Sequence, residues 1–223
     1  MNVMCQADLR RPFTVVRLGG SLLTLPDLVD RLQGLRSHVG KSLLIVVGGG
    51  ATVDLMRILH AKYGGSDLQW HWHAVRRMSE NARILARVWS HAAVVATLEQ
   101  AAVAWESDVP ALLNVEEFLR RRLCSGKADP GWPRFTEDWN CTSDSIAAWV
   151  AAVLSAQELL VLKSADPPGR DLTELSRLGY VDPLFPRIAS RTKVVRFVNL
   201  RSLPLEPNSP AFLTSCRPGP ANA

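Results

Sequence analysis

The chain has 223 residues, 47% hydrophobic and 21% charged, with 26 Lys and Arg against 21 Asp and Glu. This is the composition of a globular protein long enough for one large domain with a substantial core. The net charge of +5 suits an anionic ligand, but the basic residues form no long run and no apolar stretch reaches the length of a membrane helix, so neither a nucleic-acid nor a membrane partner is expected.

Residues 1–11 read as an N-terminal extension, and the start Met1-Asn2-Val3-Met4-Cys5 carries no apolar signal core, so export is not expected. The first strand, Val15-Val16-Arg17-Leu18, runs straight into Gly19-Gly20-Ser21. Pro26 to Val39 reads as a helix, with Pro26 in its first turn and Leu28, Val29, Leu32 and Leu35 at helical spacing. Leu43 to Val47 is a second buried strand. It ends on Gly48-Gly49-Gly50, where a second helix, Ala51 to Tyr63, begins. A strand that feeds a helix N-terminus through glycine brings bare backbone N–H groups and the helix dipole to one place, which favours an anion. Two such loops side by side would cradle a polyphosphate.

Trp70-His71-Trp72-His73 follows. If extended, it would put His71 and His73 on one face as two metal ligands. No third ligand is evident, with His60 and His91 only loosely placed, so no metal site is expected and His71 reads as a structural or substrate-contact residue. Residues 74–105 read as helical, either helix–turn–helix or helix–strand–helix through Ala92–Leu98. Pro110 to Leu113 is a short strand. Glu116 to Leu123 is a helix that carries Arg120-Arg121-Arg122 on a solvated face. Residues 125–140, rich in Gly, Pro and Trp, form a loop. Ser143 to Ala156 is a helix with Thr142 or Ser143 as N-cap and Asp144 in its first turn. Leu159 to Leu162 and Val194 to Val198 are buried strands. Five prolines from Leu203 onward mark 204–223 as a poorly ordered tail. Cys5, Cys124, Cys141 and Cys216 show no C-x-x-C spacing and read as reduced thiols of a cytoplasmic protein. Strands alternating with helices, without internal repeats, predict one α/β domain over 12–203 on a mostly parallel sheet.

Three blocks resemble, in order, those of the amino acid kinase superfamily, which includes acetylglutamate, aspartate and uridylate kinases. VVRLGGSLL resembles its "VVKxGGS" strand and loop, LLIVVGGGATVD its "vvPGGG…aD" block, and CTSDSIAAWVAAVLSAQELLVL its "SDxlAaxlA" helix and following strand. Within the superfamily the chain is most similar to the small kinases of methanofuran biosynthesis, which phosphorylate an aminomethylfuran methyl phosphate to a diphosphate. Trp139-Asn140-Cys141-Thr142-Ser143-Asp144-Ser145, Val181-Asp182-Pro183-Leu184-Phe185-Pro186 and His71…Ala74…Met78 carry that similarity. The resemblance implies a three-layer αβα sandwich of the carbamate kinase-like type. It also implies ATP and Mg2+ as cofactors, a phosphorylated or carboxylate small molecule as acceptor, and a homo-oligomer.

The resemblance further implies that N–H groups around Gly19, Gly20 and Ser21 hold the donor β-phosphate, while Gly48, Gly49 and Gly50 face the acceptor and the transferred group. Arg17 stands where the superfamily has lysine and would reach the oxygens on which charge develops. Asp144, beside Ser143, would orient the phosphate-binding cations. Lys163, at a strand end, is either a compensating catalytic cation or a simple exposed residue. Asp166 is either a nucleotide-side contact or a turn aspartate before Pro167. Thr52 is an acceptor contact or a first-turn helix contact, and Asp54 reads as structural. His71, Trp139 and Thr142 complete the expected acceptor side, with Trp139 as the ring contact. Val47 replaces the superfamily's proline, and its later lysine has no clear match beyond the neighbourhood of Ser190 and Arg191. Arginine for lysine leaves two readings open: a working kinase re-formed around Arg17, or a homologue that only binds a nucleotide, a phosphate ligand or a partner subunit.

Overall fold

The computed structural model describes residues 11–124 and 136–203. Of the expectations above, the N-terminal extension (apart from Arg11), residues 125–135 of the loop and the Pro-rich tail lie outside the described residues.

Four β/α units organise the first half of the chain. Strand β1 (Thr14–Leu18) leads through a 3-10 turn at Gly20–Leu22 to α1 (Leu28–Val39). Then come β2 (Leu43–Val47), α2 (Ala51–Tyr63), the long α3 (Asp67–Val88), β3 (Ala93–Val95), α4 (Leu98–Glu106), β4 (Ala111–Leu113) and α5 (Val115–Cys124). The second half contains α6 (Ser143–Val153), β5 (Glu158–Lys163), the short helices α7 (Leu172–Arg177) and α8 (Phe185–Ala189), and β6 (Val195–Asn199). Of the two expected arrangements for 74–105, helix–strand–helix is the one formed.

The six strands make one sheet in the order β3-β4-β2-β1-β5-β6, with every neighbouring pair parallel. Parallel strands need helical crossovers, and these cover both faces, so the central strands are apolar on both sides. Val15 of β1, Leu44 and Val46 of β2, and Leu159 and Val161 of β5 join one core with Ile146 and Trp149 of α6 and Phe185 of α8. Their alternating neighbours Val16, Leu18, Leu43, Ile45, Val47, Leu160 and Leu162 join a second core with Leu28, Leu32 and Leu35 of α1 and Leu85 of α3. The period of two along each strand thus divides the molecule into the three-layer αβα sandwich expected.

Two consequences place the site. First, β1 lies between β2 and β5, so the loops after all three open at one carboxyl edge, where open α/β sheets bind ligands. Second, Arg17 pairs in register with Val161, and Lys163 is two residues further along β5. Both cations therefore leave the sheet on the α6 side. The Arg120–Arg122 triplet forms the expected exposed face, with Arg120 and Arg121 paired one turn back to Glu116 and Glu117. No helix among the described residues is long and apolar enough to cross a membrane.

Candidate active site

The two glycine loops pack directly against each other. A Cβ on Gly20 would lie 2.2 Å from the Gly50 nitrogen and 2.5 Å from its Cα, and one on Gly48 would lie 2.8 Å from the Gly20 nitrogen. Only glycine permits this approach. Gly50 also adopts φ +65° as the N-cap of α2, a conformation that other residues resist. The backbone is fixed from beneath: Gly48 N–H donates to the Leu18 carbonyl at 2.8 Å, and Gly19 N–H to the Leu162 carbonyl at 3.1 Å. From α3, the buried Asn81 amide donates to the carbonyls of Gly48 at 2.8 Å and Gly49 at 3.0 Å. With the carbonyls so engaged, the N–H groups of Gly20, Gly49 and Gly50 meet no backbone acceptor among the described residues. The first N–H groups of α2 are orphaned there as well.

Beside this cradle stands a buried charge cluster. Asp144, 4% exposed in the first turn of α6, bridges two cations. Its Oδ1 lies 2.7 Å from Arg17 Nε, an ionic contact not aligned as a hydrogen bond, and its Oδ2 accepts from Lys163 Nζ at 2.8 Å. Arg17 also donates to Ser143 Oγ at 3.0 Å and to the Leu162 carbonyl at 3.3 Å, and Lys163 to the Tyr180 carbonyl at 2.6 Å. Gly19 makes room for the arginine, since a Cβ there would come within 2.9 Å of Arg17 Nη1. Lys163 is not a simple exposed strand end: its side chain is 15% exposed. Burial, and then the neighbouring Arg17 charge, hold its pKa below the ordinary lysine value.

Thr142 is the N-cap of α6, its hydroxyl accepting from Asp144 N–H at 3.4 Å and donating to Asp182 at 2.7 Å. Cradle and cluster form the polar end of a cleft of about 530 Å³, within the range of small-molecule sites. Val53, Val75, Met78 and Ile146 supply apolar lining, and His71 and Trp139 line the cleft as well.

A sequence model of the amino acid kinase family matches residues 12–167. The chain belongs to the amino acid kinase family. Among solved structures its fold is similar to UMP kinase from Ureaplasma parvum (14% identity, TM-score 0.57, covering 86% of this chain and 92% of that one). It is also similar to UMP kinase from Bacillus anthracis (13%, 0.55, 86% and 89%) and to uridylate kinase from Archaeoglobus fulgidus (18%, 0.53, 83% and 88%). No curated protein sequence matches.

This amino acid kinase cleft gathers most, not all, of the residues singled out from sequence. Arg17, Gly20, Ser21, Gly49, Gly50, His71, Trp139, Thr142, Ser143, Asp144 and Lys163 line it, while Gly19 and Gly48 form the backbone behind. Thr52 is exposed on α2 and is not among the lining residues. Nor is Asp166, which is exposed and accepts from the Asn199 amide at 3.1 Å. Ser190 and Arg191 follow α8 and do not line the cleft either. Trp139 donates to His60 Nδ1 at 2.7 Å, and the Arg57 guanidinium lies 5.2 Å from its ring centroid. Asp54 pairs with Arg57 at 3.1 Å. Sequence reasoning missed Arg57 as a cleft residue and gave Asp182 no role of its own. Arg57 was legible as one turn beyond Val53 on the same helix face, whereas Asp182 was quoted only as part of a motif.

The Trp70–His73 segment is not extended. It belongs to α3, which begins at Asp67 after Gly64 and Gly65, both at positive φ. Residues two apart on a helix face different ways, so His71 is buried and His73 exposed, and the two do not share a metal-binding face. Among the described residues no group of three or more His, Cys, Asp or Glu side chains is placed to hold a metal ion. Cys141 is buried and free, its thiol pKa pushed well up by burial.

Burial also lowers the His71 pKa. Its unfolded form binds a proton near pH 6.5 while the folded form still resists, so the unfolded state holds more protons just below that pH. Stability should therefore fall as pH drops below ~6.5, down to the lowered folded value. Melting temperatures between pH 8 and 5 test this. The His71→Asn variant should show a shallower decline, and an equal slope in both proteins would contradict it.

Proposed function

We propose that this protein is an ATP-dependent small-molecule kinase that transfers the γ-phosphoryl group to a phosphorylated acceptor, most specifically an aminomethylfuran methyl phosphate in one-carbon cofactor biosynthesis. The observation that carries this reading is the pair of cations, Arg17 and Lys163, held on one carboxylate beside two apposed glycine loops. Phosphoryl transfer asks little covalent chemistry of a protein. It needs donor and acceptor in line and positive charge on the transferring oxygens.

The residues present fit a nucleoside triphosphate. The N–H groups of Gly20, Gly49 and Gly50 have no backbone acceptor among the described residues, and a side chain at Gly20 or Gly48 would collide with the opposite loop. Gly19, Gly20 and Ser21, with Ser143, are assigned to the donor phosphates, and Gly48, Gly49 and Gly50 to the acceptor side with His71, Trp139 and Thr142. Thr52 and Asp166 remain peripheral candidates for acceptor and nucleotide. Both oxygens of Asp144 are taken by Arg17 and Lys163, so Mg2+ is assigned to the nucleotide phosphates rather than to this carboxylate. When bound, it would neutralise phosphate charge. In the transfer, an oxygen of the acceptor phosphate bonds to the γ-phosphorus as the bond to the β-phosphate oxygen breaks, leaving ADP. Arg17 and Lys163 stabilise the negative charge that shifts onto those oxygens. Arg17 presents a planar fork suited to phosphate.

The reaction is placed in the cytoplasm, and the protein is expected to form homo-oligomers. Leu55, Ile58 and Tyr63, exposed at 53%, 64% and 71% on α2, support a covered helix face.

Melting with and without millimolar Mg-ATP tests the nucleotide site: at about 100 times its Kd the ligand should add ~2.7 kcal/mol. ADP release is then followed with a panel of acceptors that includes aminomethylfuran methyl phosphate and UMP. No thermal shift would refute the kinase reading. A shift without turnover of any acceptor would favour the binding homologue.

A further inference from the structure

One carboxylate with no assigned role shapes the whole cluster. Asp182 is buried in the turn before α8, and its carboxylate accepts five hydrogen bonds. These come from the N–H (2.9 Å) and hydroxyl (2.7 Å) of Thr142, the N–H (3.0 Å) and hydroxyl of Ser145, and the N–H of Phe185 (2.9 Å). Thr142 and Ser145 bracket Ser143 and Asp144, the two residues that hold Arg17. Two residues before Asp182, the Tyr180 carbonyl accepts the Lys163 ammonium. The same turn therefore grips the start of α6 and the lysine of β5, elements that meet only in the fold.

Every partner of Asp182 is a donor, so an amide in its place would turn an N–H2 group toward donors. A buried carboxylate is also an expensive way to cap a helix, and it is tolerated best where opposite charge stands nearby. Here Arg17 and Lys163 outnumber Asp144, and Asp182 makes the count even. We propose that Asp182 is the positioning residue of this site: it locks the first turn of α6 so that Asp144 bridges Arg17 and Lys163, and it supplies the negative charge that balances the second cation. Its importance for turnover rests on the kinase reading, whereas its hold on Lys163 does not.

The groups facing Lys163 are Arg17 from β1, Asp144 from α6, and Tyr180 with Asp182 from the turn. Burial and Arg17 favour the neutral amine, while Asp144 and Asp182 favour the ammonium. Removing the Asp182 charge should therefore lower the pH at which Lys163 loses its proton.

The chain has only five lysines, Lys41, Lys62, Lys127, Lys163 and Lys193, so 13Cε-lysine NMR can follow each one, with Lys163 assigned by its loss in Lys163→Met. In Asp182→Asn the Lys163 midpoint should move to lower pH while the other four stay in place. kcat should fall ~10²-fold, as for a misplaced catalytic group, with KM for ATP nearly unchanged. A lowered melting temperature with an unmoved Lys163 midpoint would overturn the proposal and leave Asp182 a structural cap. Should Asp182→Asn fail to fold, Ser145→Ala removes one strap from the same carboxylate and should shift the Lys163 Cε signal alone, and an unshifted signal would overturn the proposal. A moved midpoint in a protein that turns over no acceptor would refute the kinase reading and leave this one standing.

Discussion

Lys163→Met is expected to reduce phosphoryl transfer by ~10²–10³-fold, the usual cost of removing one preorganised group from a developing anion. Stability should change by no more than about 1 kcal/mol, for two opposed reasons. The variant removes one partner of the buried Asp144, but Arg17 remains 2.7 Å away, so that carboxylate is not left unpaired. It also removes an ammonium whose lowered pKa records the cost of its burial beside Arg17. Steady-state kinetics and thermal melting together read the separation. Wild-type turnover in this variant would remove Lys163 from the mechanism. In the wild-type enzyme, the same lowered pKa predicts that activity declines on the alkaline side sooner than an ordinary lysine would dictate.

Gly20→Ala should damage both fold and nucleotide response. Its Cβ would fall 2.2 Å from Gly50 N and 2.5 Å from Gly50 Cα. These are backbone atoms, held by the Asn81 clamp and by β1–β2 pairing, and they cannot swing aside as a side-chain tip would. The loops must separate, at a cost of ~1–3 kcal/mol, and the N–H groups of the cradle then diverge. Mg-ATP should lose its stabilising effect on the variant. Gly169→Ala is the matched control: nothing lies within 4 Å of its Cβ and its φ is not positive, so stability and nucleotide response should match wild type. Retained Mg-ATP stabilisation in Gly20→Ala would show that the cradle does not hold the nucleotide.

How far these features could be read in the chain depended on length and period. The run Leu43–Val47 and the helix Ala51–Tyr63 were legible to the residue, because a branched apolar run stops at three glycines and helical spacing starts after them. Helices α7 and α8, six and five residues long, were not, since so few residues show no period. The Trp70–His73 segment allowed an extended reading only when taken alone. His71, Val75, Met78, Ala82 and Leu85 form one buried helical stripe that runs back through it.

For the site, the sequence by itself determined the parts whose chemistry is local. Glycine must stand where backbone meets backbone, a hydroxyl must cap α6, and an acid belongs in that helix's first turn. It also placed Arg17 near the end of the first strand, two residues before Gly19. Only the tertiary structure decided what those parts do together. Parallel pairing of β1 with β5 brings Arg17 and Lys163 onto one side of the sheet across 146 positions of chain, and the turn at Tyr180–Phe185 closes over them. The physical reason is that strand register and helix packing set those distances, and both arise from contacts between segments far apart in sequence. A lysine that reads as a possible surface residue thus becomes a buried cation, and an aspartate in a Pro-flanked turn becomes the anchor of the charge cluster.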